Sequence, residues 1–290
     1  MHSPAIRPRT AIEIVDAAVS LYRDNFKTMA IIGLAASAPL VVAAILGMGI
    51  YGSMGTMSQM SRFVNNPMAV IPGMLGVGAV MLLWIAIIDG AMTYAASQAY
   101  HGFSPTPADA IRGAFSKGLS LVGGNLLRML IVFGIGALAI GAMVTMGTAD
   151  ANPIVAVIVG LAIFILAVHL MARTFAVTSA IVIENQTATE GVQRSFFLSK
   201  DATLRIVGIA MLCLVIYWFA QVISGLLVQG LVQLVLRNRI ITAVVGNVAG
   251  MVIYPFLNVA IMVLYYDQRV RKEGYDIDVM SSSIPAPAPR

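Results

Sequence analysis

The chain has 290 residues, of which 59% are hydrophobic and only 11% charged, and its mean hydropathy is +0.89. Soluble domains carry roughly 25% charged residues, so a water-soluble globular fold is excluded and lipid must cover the apolar surface. The net charge of +5 comes from basic residues set singly or in pairs at the ends of apolar runs, a topological pattern that argues against nucleic acid as a partner.

In chain order, the acidic residues Glu13, Asp16 and Asp24 interrupt the place where a signal peptide needs its apolar core, so no cleavable signal is expected. The segment Thr10 to Asp24 reads instead as a helix. Thr10 and Glu13 form a capping-box pattern, and Ile12, Val15, Val19, Tyr22 and Phe26 make one apolar stripe at helical spacing. Spans of about 20 apolar residues follow at Thr28 to about Ile50, about Val70 to Tyr100, about Leu126 to Thr148, and Asn152-Pro153 to about Thr174. Two more run from about Leu204 to Leu236 and from about Ile241 to Tyr266. A polar stretch rich in Gly and Met, about Tyr51 to Ala69, separates the first two, and a disordered cytoplasmic tail is expected over 276–290.

The first helical segment recurs. TAIEIVDAAVSLYRD, from Thr10, aligns with TATEGVQRSFFLSKD, from Thr187, at six of 15 identical positions, and TPADAIRGAFSKGL, from Thr106, is a weaker copy. Thr106 with Asp109 and Thr187 with Glu190 repeat the cap, the Asp less effectively because its side chain is shorter; Ile111 and Phe115, and Val192 and Phe196, continue the stripe. Each copy precedes an odd-numbered span. The expected fold is therefore an all-α polytopic membrane bundle of about six transmembrane helices in one domain, 1–275. It consists of three units of amphipathic helix plus hairpin, about 8–100, 104–174 and 185–268, with the hairpins packed around a pseudo-threefold axis and the amphipathic helices lying apolar face down on the membrane. Lys and Arg concentrate on the side that holds both termini, which the positive-inside rule assigns to the cytoplasm. On this reading Arg128 lies near the cytoplasmic end of the third span and snorkels.

Few residues carry chemistry. Asp89 is an ionisable group inside a span, which is costly and by default a functional hypothesis; it either binds an ion or polar substrate or pairs with Arg128, Arg173 or a tyrosine hydroxyl. His169 reads as a proton relay or as a packed core histidine. Asn247, Pro255 and Asn258 read as a broken helix lining a cavity, while Gly246-x-x-x-Gly250 reads as close helix packing. The lone Cys213, and His2 and His101 far from any ligand partner, offer no metal constellation, and G-x-S-x-G, Walker and H-E-x-x-H patterns are missing from the sequence. No catalytic residue, cofactor or metal is expected. The basic residues Arg23, Arg112, Lys117, Arg194, Lys200, Arg269, Arg271 and Lys272 form a candidate contact surface for lipid or partner proteins on the cytoplasmic face. The charged run from Tyr265 to Met280 is either the stop for the last helix or a docking patch.

IRPRTAIEIVDAAVSLYRDNF, RTFAVTSAIVIENQTATEGVQRSFFLSKDATLR and LYYDQRVRKEGYDID together resemble a bacterial integral-membrane family, the one named for the membrane domain of glycerophosphoryl diester phosphodiesterase. The resemblance implies a six-helix inner-membrane module. In family members that are phosphodiesterases, catalysis belongs to a soluble barrel domain with paired acidic and histidine residues, which has no counterpart before Arg290. The expected function is that of a non-enzymatic accessory or scaffold protein that binds membrane lipids, other membrane proteins or itself through its bundle and amphipathic helices. The alternative is a small transporter or channel with a polar path through Asp89, His169, Asn247 and Asn258.

Overall fold

A computed structural model of the chain describes residues 7–39, 67–148, 152–275 and 277. Every regular element among them is helical: α1 (Ala11–Asp24), α2 (Phe26–Ala36), α3 (Pro67–Tyr100), α4 (Pro107–Ser116), α5 (Gly118–Thr148), α6 (Pro153–Arg173), α7 (Val177–Glu184), α8 (Ala188–Ser199), α9 (Thr203–Leu236), α10 (Arg239–Ile253) and α11 (Pro255–Glu273). Among the described residues, five stretches are long and apolar enough to cross a membrane: Gly78–Tyr100, Gly118–Met146, Pro153–Glu184, Thr203–Val235 and Val244–Glu273. The chain is an all-α, multi-pass membrane bundle. Of the first expected span only the short apolar helix α2 is described; the remainder of that span, most of the polar stretch after it and all of the tail but Ile277 lie outside the described residues.

α1, α4 and α8 each begin at the threonine read as their cap. Thr10 and Thr187 accept the amides of Glu13 and Glu190, whose carboxylates reach back to the threonine amides. Thr106 accepts the Asp109 amide, but the shorter Asp109 side chain stops at the Thr106 hydroxyl, 2.6 Å away. The faces these helices bury differ from the stripe read in the sequence. Ile14 and Ala18, Ala110 and Ala114, and Gly191 and Ser195 are buried, the fourth and eighth residues after each cap. The stripe is divided: Ile12 is 76% exposed and Phe26 and Phe115 about half exposed, while Val15, Tyr22, Ile111 and Val192 pack, partly buried, against the core. α1 thus has two apolar lines, one seated on the bundle and one left for the membrane interface.

Each of these helices sits across a hairpin. α4 packs on α3 and α2, α8 on α7 and α5, and α1 on α11 and α9, the last hairpin of the chain. α3, α7 and α11 are in mutual contact at the centre. Accordingly half of the apolar windows of the spans containing α3 and α11 is buried, against 6% for α5.

Glycines set the closest approaches. A Cβ on Gly33 of α2 would stand 2.3 Å from the Met251 carbonyl oxygen of α10, the carbonyl that Pro255 leaves without its helical amide partner. Gly123 and Gly124 let the start of α5 press against Ala188 and Ile181. This glycine-rich stretch is helical from Gly118, eight residues ahead of the expected start, so Arg128 lies well inside the span and not near its end.

Candidate functional site

Asp89 precedes the end of α3 by 11 residues, and Arg128 follows the start of α5 by ten. At a rise of 1.5 Å per residue both lie about 15 Å from the end of the bundle that carries α1, α4 and α8. They line one cavity of about 500 Å³ bounded by α3, α5, α6, α9 and α11. Its polar part follows from the proline that opens α11. Lacking an amide, Pro255 interrupts the helix at Tyr254, and Tyr254 and Asn258, one turn apart, meet Asp89. The Tyr254 hydroxyl donates to Asp89 Oδ1 at 2.7 Å, and Asn258 Nδ2 reaches the same oxygen at 3.4 Å and Met92 Sδ at 3.2 Å. Thr93 donates to the Asp89 carbonyl at 2.8 Å. Arg128 is close enough to act on Asp89 electrostatically, yet among the described residues no ion pair joins them.

The walls are apolar. Phe164 and Met171 of α6 and Met211 and Leu214 of α9 line the cavity and are also exposed on the outer surface, so it opens sideways between these helices. A further hollow of about 740 Å³ lies between α5 and α6 and shares Phe164 with the first.

The structure divides the residues singled out by sequence. Asp89 and Asn258 come together. His169 is exposed on α6 and Asn247 exposed on α10, and neither lines the cavity, because both project from faces turned away from α3. Arg173 does not pair with Asp89; its guanidinium lies over the Phe196 ring at 4.9 Å. The glycines of Gly246-x-x-x-Gly250 approach Gln229 and Gln221 of α9, and Gln221 donates to the Gly250 carbonyl at 2.9 Å. Packing and a helix break therefore coexist in α10 and α11. The tyrosine hydroxyl expected among the partners of Asp89 is that of Tyr254, which sequence reasoning did not name, although a tyrosine one turn before an asparagine and next to a proline was a usable signal.

The basic residues also divide. Arg23, Arg112 and Lys200 are exposed. Arg194 is drawn inward, bonding Glu184 through Nε at 2.8 Å and pairing with Glu273. Arg269 reaches Glu184 at 3.3 Å and covers the Tyr275 ring at 4.1 Å, and the Tyr265 hydroxyl donates to Glu184. Burial works against the Arg194 charge, but hydrogen bonds and ion pairs with the two glutamates prevail and raise its pKa further. Lys117 donates to the Val182 carbonyl, and burial lowers its pKa. Lys272 donates to the Phe197 and Lys200 carbonyls.

A second cluster surrounds Asp267, whose side chain is 1% exposed. It accepts from the Arg9 amide at 2.7 Å, Arg205 at 2.5 Å and Arg271 at 3.1 Å, and both guanidinium groups also donate to the Arg9 carbonyl at 2.7 Å. Of the run from Tyr265 to Met280, read as a stop or docking patch, the part from Tyr265 to Lys272 is thus largely internal. It is the inner end of α11, enclosed by α1 and α8.

No family model, curated protein or solved structure matches the chain.

Proposed function

We propose that this chain is a non-enzymatic, lipid-binding accessory protein of the bacterial inner membrane, with both termini cytoplasmic. The observation that carries the reading is the cavity: apolar walls, a sideways opening between α6 and α9, and a polar floor at Asp89 and Arg128. That combination suits an amphiphile entering from the bilayer, with chains on the walls and a polar part on the floor. The basic excess near the end carrying α1, α4 and α8 supports the orientation. The outward apolar faces of α5, α6 and α9 offer room for neighbouring membrane proteins or a second copy.

The test is native mass spectrometry of protein purified in mild detergent, with Met211→Trp and Leu214→Trp to fill the cavity. Retained phospholipid in the wild type, reduced in the tryptophan variants, is the expected result; a lipid-free wild type overturns the reading. A transporter is the second reading, favoured by the meeting of Asp89 and Asn258 beside the Pro255 break. Solute flux in vesicles that Asp89→Asn abolishes would promote it.

A further inference from the structure

We infer that the cavity selects a phospholipid head group carrying both a phosphate and an ammonium, with the phosphate on Arg128 and the ammonium on Asp89. The inference rests on the lipid-binding reading above and adds a chemical class to it. The two residues lie at one depth, line one cavity and sense each other's charge without closing into an ion pair. Opposite charges at membrane depth ordinarily pair or face a polar ligand, because each alone is costly.

The remaining valences fit such a ligand. Tyr254 and Asn258 both address Asp89 Oδ1, which leaves Oδ2 with no hydrogen bond from the described residues and able to accept from an ammonium. The Arg128 guanidinium makes no hydrogen bond or ion pair with the described residues, and its planar array of donors suits two phosphate oxygens. A head group with phosphate alone would satisfy Arg128 and set a like charge against Asp89, whereas a cation alone would do the reverse. Only a group with both charges complements the pair. The apolar hollow between α5 and α6, which shares Phe164 with the cavity, offers room for an acyl chain.

The experiment is titration of delipidated full-length protein in mild detergent with phosphatidylethanolamine, phosphatidylglycerol and diacylglycerol, read by native mass spectrometry. The wild type is expected to bind phosphatidylethanolamine at least about tenfold more tightly than the other two, and Arg128→Gln and Asp89→Asn each to remove about tenfold of that affinity. Asp89→Asn should also bring phosphatidylglycerol level with phosphatidylethanolamine, and Arg128→Lys should keep part of the phosphate preference, which separates head-group contact from misfolding. Equal binding of all three lipids, unmoved by the charge variants but lost in Met211→Trp, overturns the head-group assignment and leaves lipid binding standing. A wild-type preference for phosphatidylglycerol overturns the ammonium contact. If no lipid binds and the tryptophan variants change nothing, the lipid reading itself fails.

Discussion

Asp267 holds three donors from three parts of the chain: the Arg9 amide, Arg205 and Arg271. Removing the carboxylate leaves two partly buried cations and a buried amide without their partner, so Asp267→Ala should cost about 3 kcal/mol, the lower range for breaking a buried pair. Thermal unfolding in detergent measures it, with Arg7→Ala as the contrast, because the Arg7–Glu13 pair is exposed and its loss should move the melting point far less. Glu13 supplies a pH test. The Thr10 amide, then Arg7, hold its carboxyl down from its ordinary 4.5 to about 2. A carboxyl lowered on folding contributes stability above its unfolded value, and loses it as pH falls through the folded one. The N-terminal turn of α1 should therefore remain capped below pH 4.5 and open only as pH approaches 2. An NMR titration of Glu13 with an unshifted midpoint would contradict this. At this scale the sequence disclosed what stands out by cost: Asp89 among apolar neighbours, and Asn258 near a proline. It concealed Asp267, because a carboxylate in a dense charged run near the chain end looks solvated, and only the distant Arg9 and Arg205 show that it is not.

α1, α4 and α8 share a register whose buried line the periodicity of the bulky side chains did not single out. Both the line at two, five and nine residues after the cap and the line at four and eight have helical spacing, and the bulkier side chains of the first drew the assignment. The inner line is made of small residues, Ala18, Ala110, Ala114, Gly191 and Ser195, with Ile14 the exception; size, not hydrophobicity, was the signal. The consequence is measurable at Gly191, where a Cβ would lie 2.7 Å from Ile181 Cγ1. Gly191→Val should destabilise by about 1–3 kcal/mol through overpacking. Gly134→Ala in α5, with open space around the position, should be neutral or gain up to about 1 kcal/mol from helix propensity. Equal melting points for the two variants would refute the assigned seat of α8. Helix existence was legible for α1, α4, α8 and the five described spans because apolar runs and caps are local; the start of α5 and the division between α6 and α7 depended on packing and turns that hydropathy does not see.

Among the described residues, α1, α4 and α8 each seat on a pair of helices, and the first takes the last pair. If α1 is an integral part of that arrangement, deleting residues 1–24 should raise amide exchange at the inner end of α11, from Tyr265 to Glu273, while α3 and α4 stay protected. Exchange that changes nowhere outside α1 would reduce it to a surface attachment. The caps at Thr10, Thr106 and Thr187 made the starts of α1, α4 and α8 readable. The pairing of α1 with α11 was not, since nothing local to either sequence names a partner so far along the chain.

That seat also orders events in time. Arg9 and Asp267 are 258 residues apart, and at synthesis rates of 5–20 residues per second the partner emerges on the order of 10–50 s after α1. During that interval α1 is complete but has nowhere to dock, with both of its apolar lines uncovered. The membrane surface is the natural place for it to wait, and the outward stripe of Ile12, Val19 and Phe26 gives it a means of doing so before the inner line finds its home. α1, made well before α11, is by geometry placed only after it, so the clamp around Asp267 closes once α11 is in its seat.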